Sequence, residues 1–235
     1  MNDRGLSLPP IQYSVVVPLF NEEKSLRPLQ VRLHSVMERL SAGYEIIYVD
    51  DGSKDASFEV LKALKEEYPK IQIISFKDNK GQSAALFAGF KASSGKWIFT
   101  IDADCQNPPE EFFTLLKFKD NFDFITGIRK DRKDSFLKKA SALIARFFRR
   151  LVLRDTTVDI GCSLKLFKRE VINSLPTFKN FHRFFTFLAR VKGFKVKEVY
   201  VNHKPRIYGK SKYGYIKRGY EGIIGLWNAL RYASF

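Results

Sequence analysis

Four short apolar runs, each ending in polar or acidic residues, are separated by segments with helical spacing. The runs are YSVVVPLF (13–20), YEIIYVD (44–50), IQIISF (71–76) and KWIFTID (96–102). Between them, residues 22–40 place Leu26, Leu29, Leu33, Val36 and Leu40 at helical spacing. Residues 55–68 read as a second helix with Asp55 as N-cap, and 82–93 as a third. Continuous apolar runs of this length predict strands buried on both faces. Their alternation with helices predicts a mostly parallel sheet covered on both sides, an α/β fold. Ligands of such sheets bind in the crevice outside the carboxyl ends of the strands. Asn21 and Glu22, Asp50 and Asp51, and Asp102 and Asp104 all fall at those ends, so three polar clusters are expected to converge. FDFITGIR (122–129) predicts a further strand.

Asp102 and Asp104 are one residue apart, on the same side of an extended chain. Like charges that close repel each other unless a cation or a partner compensates them. A pair of carboxylates suits a hard ion such as Mg²⁺, which takes one or two protein oxygens and fills its shell from substrate phosphates. Gln106 offers one more oxygen. A solvated turn before Pro108-Pro109 would use the same residues; the position after a fourth parallel strand favours the ion. In VDDGSKD (49–55), Asp50 is placed to accept hydrogen bonds from a nucleobase or ribose, and Gly52 permits a tight turn. No GxGxxG fingerprint and no full P-loop pattern GxxxxGK[ST] occurs, which argues against dinucleotide dehydrogenases and Walker-type NTPases.

Net charge is unevenly distributed. Residues 1–117 hold 14 Lys/Arg against 16 Asp/Glu, whereas 118–235 hold 27 against 9, so the second half is strongly basic. A polyanionic partner is expected there, either nucleic acid or an anionic membrane surface. Residues 135–153, SFLKKASALIARFFRRLVL, carry no acid. On a helical wheel Lys138, Lys139, Arg146, Arg149 and Arg150 oppose Phe136, Leu137, Ala140, Leu143, Ile144, Phe147, Phe148 and Leu151, a basic amphipathic helix. Residues 215–235 form a weaker second candidate, interrupted by Gly219, Gly222 and Gly225. The N-terminus has no apolar signal core, and no apolar stretch reaches the roughly 20 residues that span a bilayer. The two cysteines, Cys105 and Cys162, read as thiols of a reducing compartment.

Taken in order, VVVPLFNEE (15–23), IIYVDDGSKD (46–55), NKGQSAALFAGFKASSG (79–95), DADCQNPPEE (102–111) and RIYGKSKYG (206–214) closely resemble the inverting family 2 glycosyltransferases of the GT-A fold. The likeness is to the branch that transfers a sugar from a nucleotide sugar to a polyprenyl phosphate, which includes dolichyl-phosphate mannose synthase and the undecaprenyl-phosphate glycosyltransferases. It implies an N-terminal tail (1–12), a catalytic domain over 13–214 and a membrane-proximal helix over 215–235. Within that domain 13–117 would bind nucleotide and 118–214, containing the amphipathic helix, would serve the acceptor.

Carried over by position, the resemblance implies that Pro18, Phe20, Glu22 and Asp50 line the nucleotide pocket. The family usually has Tyr at the Phe20 position. Asp102, Asp104 and Gln106 would hold Mg²⁺ or Mn²⁺ against the donor diphosphate. Arg129 would face phosphate, and Arg206, Ser211 and Lys212 would bind the diphosphate or the lipid phosphate. VDIGCSLKLF (158–167) matches the acceptor segment, with Asp159 its acidic residue; some relatives carry an acid directly after that glycine, where Cys162 stands here. Asp104, Asp159 and Arg129 are thus the expected catalytic residues. The implied partners are a nucleotide-sugar donor, a polyprenyl-phosphate acceptor and an anionic membrane surface, met peripherally from the cytoplasmic face, with no nucleic acid. Two other readings stand beside this one. A family 2 enzyme acting on a lipopolysaccharide or glycan hydroxyl would need Asp159 as a base. A basic nucleic-acid-binding module would leave the carboxylate clusters without a role.

Overall fold

The computed structural model describes residues 10–130, 146–147, 149–176, 178–207 and 224–232. Seven strands form one sheet in the order β3-β2-β1-β4-β6-β5-β7. They are β1 (Ile11–Leu19), β2 (Gly43–Asp50), β3 (Ile71–Ser75), β4 (Trp97–Thr100), β5 (Phe124–Arg129), β6 (Lys165–Lys168) and β7 (Val196–Val201). The helices are α1 (Glu23–Glu38), α2 (Ser57–Glu67), α3 (Gln82–Ala92), α4 (Phe112–Leu116), α5 (Arg169–Asn173) and α6 (Phe185–Val191).

β1 pairs in parallel with both β2 and β4. The chain first winds outward to β3, then crosses back to the other side of β1, and this reversal opens a crevice at the carboxyl ends of β1 and β4. The periodicity placed β1 to β5 and the first three helices within a few residues of where they lie. It did not find β6, which runs antiparallel to both neighbours, or β7, which pairs in parallel with β5. Asp55 acts close to the expected cap position: its carboxylate accepts the Ser57 N–H at 3.0 Å and the Glu23 N–H at 3.2 Å.

Alternate residues of β1 point to opposite faces. Val15, Val17 and Leu19 pack with Leu26, Leu29, Leu33 and Met37 of α1, while Val16 packs with Ala85, Leu86 and Phe90 of α3. On the second face Phe90, Phe124, Phe167 and Phe185 interlock, with Phe167 and Phe185 edge-to-face at 4.8 Å and Phe124 and Phe185 at 4.9 Å. This cluster fixes β5 and β6 to the body that carries the crevice.

The described end of the amphipathic segment, residues 146–147 and 149–153, is helical, but Arg149 departs from the expected wheel. Its guanidinium turns inward and is 6% exposed, whereas Phe147 and Leu151 are 63% and 68% exposed. The reason is electrostatic: Asp155, fully buried, pairs with Arg149 at 2.9 Å and Arg190 at 3.6 Å. A buried carboxylate without such partners would be strongly destabilising. The helical residues 224–232 lie against α6, where Ala229 joins Leu153, Phe184 and Leu188 in one cluster.

Phe185→Ala is expected to lower the unfolding free energy by about 3–5 kcal/mol, because it empties the centre of the aromatic cluster. Urea denaturation checks this, and a loss below about 1 kcal/mol would contradict the packing.

Candidate active site

The loops after β1 and β2 are tied to each other. Ser53 Oγ accepts the Asn21 N–H at 2.8 Å, Asn21 Oδ1 accepts the Lys54 N–H at 2.6 Å, and Ser57 Oγ accepts the Glu22 N–H at 2.8 Å. Asp50 is buried, with Oδ1 capping the Ser53 N–H at 3.0 Å and Oδ2 accepting the Ser75 hydroxyl at 3.3 Å. Gly52 turns the chain at φ +72°, and a Cβ there would lie 2.7 Å from the backbone of Asp78. Asp51 anchors the next loop by accepting the N–H groups of Lys80 at 2.7 Å and Gly81 at 2.8 Å; burial raises its pKa nonetheless. Pro18 is buried within β1 and Phe20 is half-buried just beyond it.

The carboxylate loop follows β4. Asp102 Oδ1 accepts the Gln82 side-chain N–H at 2.9 Å, and the backbone N–H of Asp102 donates to Ser163 Oγ at 3.2 Å. Burial, and then the charge of Asp104, push Asp102 up to about 6, against the pull of Ser163, Lys165 and Arg129. Asp104 Oδ1 accepts the Gln106 backbone N–H at 3.1 Å, while Oδ2 pairs with Arg206 Nη2 at 2.7 Å. The second Nη of Arg206 reaches Glu22 Oε1 at 3.1 Å, so the β1 and β4 ends do meet through one guanidinium. The side-chain amide of Gln106 donates to the Lys204 carbonyl at 3.2 Å. Cys105, between Asp104 and Gln106, is buried with φ +59°, a backbone conformation uncommon for a residue with a side chain and frequent at functional sites.

Arg129, at the end of β5, forms a two-pronged pair with Asp159, at 2.7 Å and 2.8 Å, and its own N–H adds a third bond at 3.2 Å. Burial would lower the Arg129 pKa, but the hydrogen bonds and charge of Asp159 outweigh it and raise it. Gly161 makes room for the guanidinium, since a Cβ there would stand 2.7 Å from Nη2. The loop carrying Asp159 is held by Arg190, which pairs with Glu198 at 2.6 Å, and by the Val158 N–H on Glu198 Oε2 at 2.8 Å. Ser211 and Lys212 lie outside the described residues.

Three side chains not singled out from sequence belong to the same place. Ser163 bridges the carboxylate loop to β6, taking the Asn107 amide at 2.8 Å as well as the Asp102 N–H. Gln82 reaches Asp102 from the start of α3. Lys165 lies buried beneath them, its ammonium on the Cys162 carbonyl; burial lowers its pKa. A lysine in LKLFK carries no signal of this kind until β6 is known to lie beside β4.

The donor set fits a divalent cation. The loop is short of positive charge, as the raised Asp102 and the guanidinium drawn onto Asp104 both attest. Among the described residues no three His, Cys, Asp or Glu side chains gather to hold a metal, and Mg²⁺ commonly takes the rest of its shell from phosphate oxygens.

The glycosyl transferase family 2 model matches residues 14–175. Undecaprenyl-phosphate 4-deoxy-4-formamido-L-arabinose transferase of Salmonella choleraesuis (strain SC-B67) is 36% identical over 206 residues, 87% of this chain and 63% of that protein. The same-named protein of Salmonella paratyphi B (strain ATCC BAA-1250 / SPB7) gives the same figures. The chain thus spans 63% of the length of these curated relatives. Among solved structures, glucosyl-3-phosphoglycerate synthase from Mycobacterium tuberculosis, in complex with Mn²⁺, UDP and glucosyl-3-phosphoglycerate, superposes with a TM-score of 0.72. It shares 16% identity over 96% of this chain and 81% of that one, a likeness of fold. The reversal beside β1, the acidic strand ends gathered there and the match over most of the chain lead to one assignment: this chain belongs to glycosyl transferase family 2, with the α/β architecture of the GT-A fold.

Proposed function

We propose that the protein transfers a sugar from a nucleotide-diphosphate sugar (GDP-mannose or a UDP-hexose) to a polyprenyl phosphate, with Mg²⁺ or Mn²⁺ and inversion at the anomeric carbon. The observation that carries this is the meeting of Asp102, Asp104, Arg206 and Glu22 at the sheet's reversal in a family 2 chain. The acceptor class rests on relatives named as undecaprenyl-phosphate sugar transferases.

Asp102 and Asp104 would hold the ion, and Gln106 joins them if its amide leaves Lys204. When bound, the ion neutralises charge developing on the leaving diphosphate. Pro18, Phe20, Glu22 and Asp50 line the nucleotide side, and Arg206 supplies a guanidinium for phosphate, with Ser211 and Lys212 following in sequence. The acceptor, a phosphate monoester with a second pKa of about 6, is largely ionised at neutral pH and attacks without a strong base. Asp159 fits this economy: its oxygens are engaged by Arg129, so its part is to aim that guanidinium at phosphate rather than to take a proton. A single displacement of this kind inverts the configuration.

An apolar and basic surface supports a membrane-bound acceptor. Phe147, Leu151, Val152, Ile224, Trp227 and Leu230 are exposed on the helical residues flanking α6, with Arg150, Arg154 and Arg231 exposed among them. That composition suits the headgroup boundary of an anionic membrane. Among the described residues no helix is long and apolar enough to cross a bilayer.

Purified protein given labelled nucleotide sugars, Mn²⁺ and undecaprenyl phosphate is expected to move label into the organic phase from one donor. Asp104→Ala should reduce that transfer by about 10²–10³-fold, the effect of losing one charge-stabilising group. Transfer to a glycan hydroxyl in its place would sink the lipid-phosphate reading. Mn²⁺ affinity, followed by EPR, should rise with pH up to about 6 and level off above, because the ion binds the ionised form of Asp102. Below that point it should fall by about tenfold per pH unit, one proton being displaced per ion; a flat profile between pH 5 and 7.5 would contradict it. The double substitution Leu151→Ala with Trp227→Ala should weaken partition onto vesicles containing anionic lipid by about tenfold or more, given about 1.5–3 kcal/mol for each large apolar side chain removed from water. Sedimentation with vesicles reads this, and unchanged partition would remove the surface from the reading.

A further inference from the structure

We propose that Arg206 occupies the divalent-ion position in the ligand-free protein, and that its displacement onto the donor diphosphate makes ion and nucleotide bind as a coupled pair. This rests on the reading of Asp102 and Asp104 given above.

The guanidinium spans Glu22 Oε1 at 3.1 Å and Asp104 Oδ2 at 2.7 Å, and these carboxylate side chains are each 9% exposed. The other oxygen of Asp104 is engaged by the Gln106 N–H. An ion bound to Asp104 would sit at about 2.0–2.1 Å from its oxygen. A guanidinium nitrogen at 2.7 Å from Oδ2 takes the acceptor site that faces Glu22, so an ion placed between the two carboxylates would compete with it.

The chain delivers Arg206 to this place deliberately. Residues 202–206 run alongside the carboxylate loop and are stitched to it at each step. Asn202 donates to Glu111 Oε1 at 2.5 Å, and His203 Nδ1 lies 3.1 Å from Asn107 Oδ1. The Lys204 N–H donates to the Gln106 carbonyl at 2.7 Å, and the Gln106 amide returns a bond to the Lys204 carbonyl at 3.2 Å. Arg206 is the last rung.

Expelling it has a cost that an ion alone recovers poorly. With an ion on Asp104 the guanidinium would lose one of its two carboxylates and stand near a like charge, with Glu22 as its remaining partner. A diphosphate gives it a new partner, with the two-pronged geometry that guanidinium groups favour. Each ligand therefore promotes the other, and the coupling is reciprocal.

The test is Mn²⁺ binding to the full chain at pH 7.5, by EPR, with and without saturating UDP or GDP. Without nucleotide, Arg206→Met is expected to bind Mn²⁺ about tenfold tighter than the unaltered protein. With nucleotide, the unaltered protein should gain about tenfold or more while Arg206→Met gains far less. Lys204→Met removes one charge from the same segment without touching Asp104, and should leave Mn²⁺ affinity within about twofold, which separates displacement from a general change in field. Asp104→Asn should abolish the signal in all of them. Arg206→Lys, which keeps the charge but not the bridge, should fall between, and stands in if Arg206→Met melts early. Equal or weaker Mn²⁺ binding by Arg206→Met, with Asp104→Asn still silent, would overturn the displacement and leave the metal site intact. No Mn²⁺ binding by any folded variant, with or without nucleotide, would overturn both.

Discussion

Negative charge collected at one end of a parallel sheet has to be balanced, and most of what surrounds the crevice follows from that. Parallel pairing of β1 with β2 and β4 brings Glu22, Asp50, Asp51, Asp102 and Asp104 to one rim. The five acids meet three different answers. Asp50 and Asp51 are absorbed by backbone N–H groups of the turns they begin. Asp104 and Glu22 share the Arg206 guanidinium. Asp102 has a side-chain amide and the more distant charges of Lys165 and Arg129, and burial together with the charge of Asp104 still drives it up to about 6. A bound cation would relieve the repulsion between Asp102 and Asp104.

A second tier of buried charge supports the first without touching it. Asp155 draws Arg149 and Arg190 inward, Arg190 meets Glu198, and Glu198 holds the backbone just before Asp159. Asp159 in turn fixes Arg129. Two sets of ion pairs, joined by the Val158 N–H on Glu198, thus run from the helical residues whose apolar side chains are exposed to the Arg129 guanidinium. Breaking a buried pair strands its partner, so such a chain resists partial rearrangement.

The first half of the molecule was legible because period and position said the same thing. Apolar runs of strand length, helical spacing between them and acids at the strand ends specify β1 to β4 and the crevice with little tertiary information. β6 was not legible: LKLFK alternates lysine with apolar residues and reads as exposed until β4 and β5 flank it and bury Lys165. Arg149 was misread for the same reason, since a helical wheel shows which residues share a face but not which face a distant carboxylate will claim. The acids of the site were found from their spacing and from a family likeness. Ser163 and Gln82, which bond the Asp102 backbone and carboxylate, and Lys165, which is buried nearby, act from elements remote in sequence and left no local pattern.

The antiparallel course of β6 has an architectural consequence. Because β6 opposes β4 and β5, it begins where they finish, so the long excursion between β5 and β6 leaves the sheet and rejoins it on the same side as the crevice. Both ends of that excursion are anchored within the binding region, at Arg129 and at Ser163, while the half that carries β1, β2 and β3 has no covalent stake in its length. Between its anchors and its buried ion pairs, an excursion of this kind can change in length and composition without altering the register of β1, β2 and β3. New partners can then be tried on one side of the cleft while the other side keeps its geometry and its chemistry.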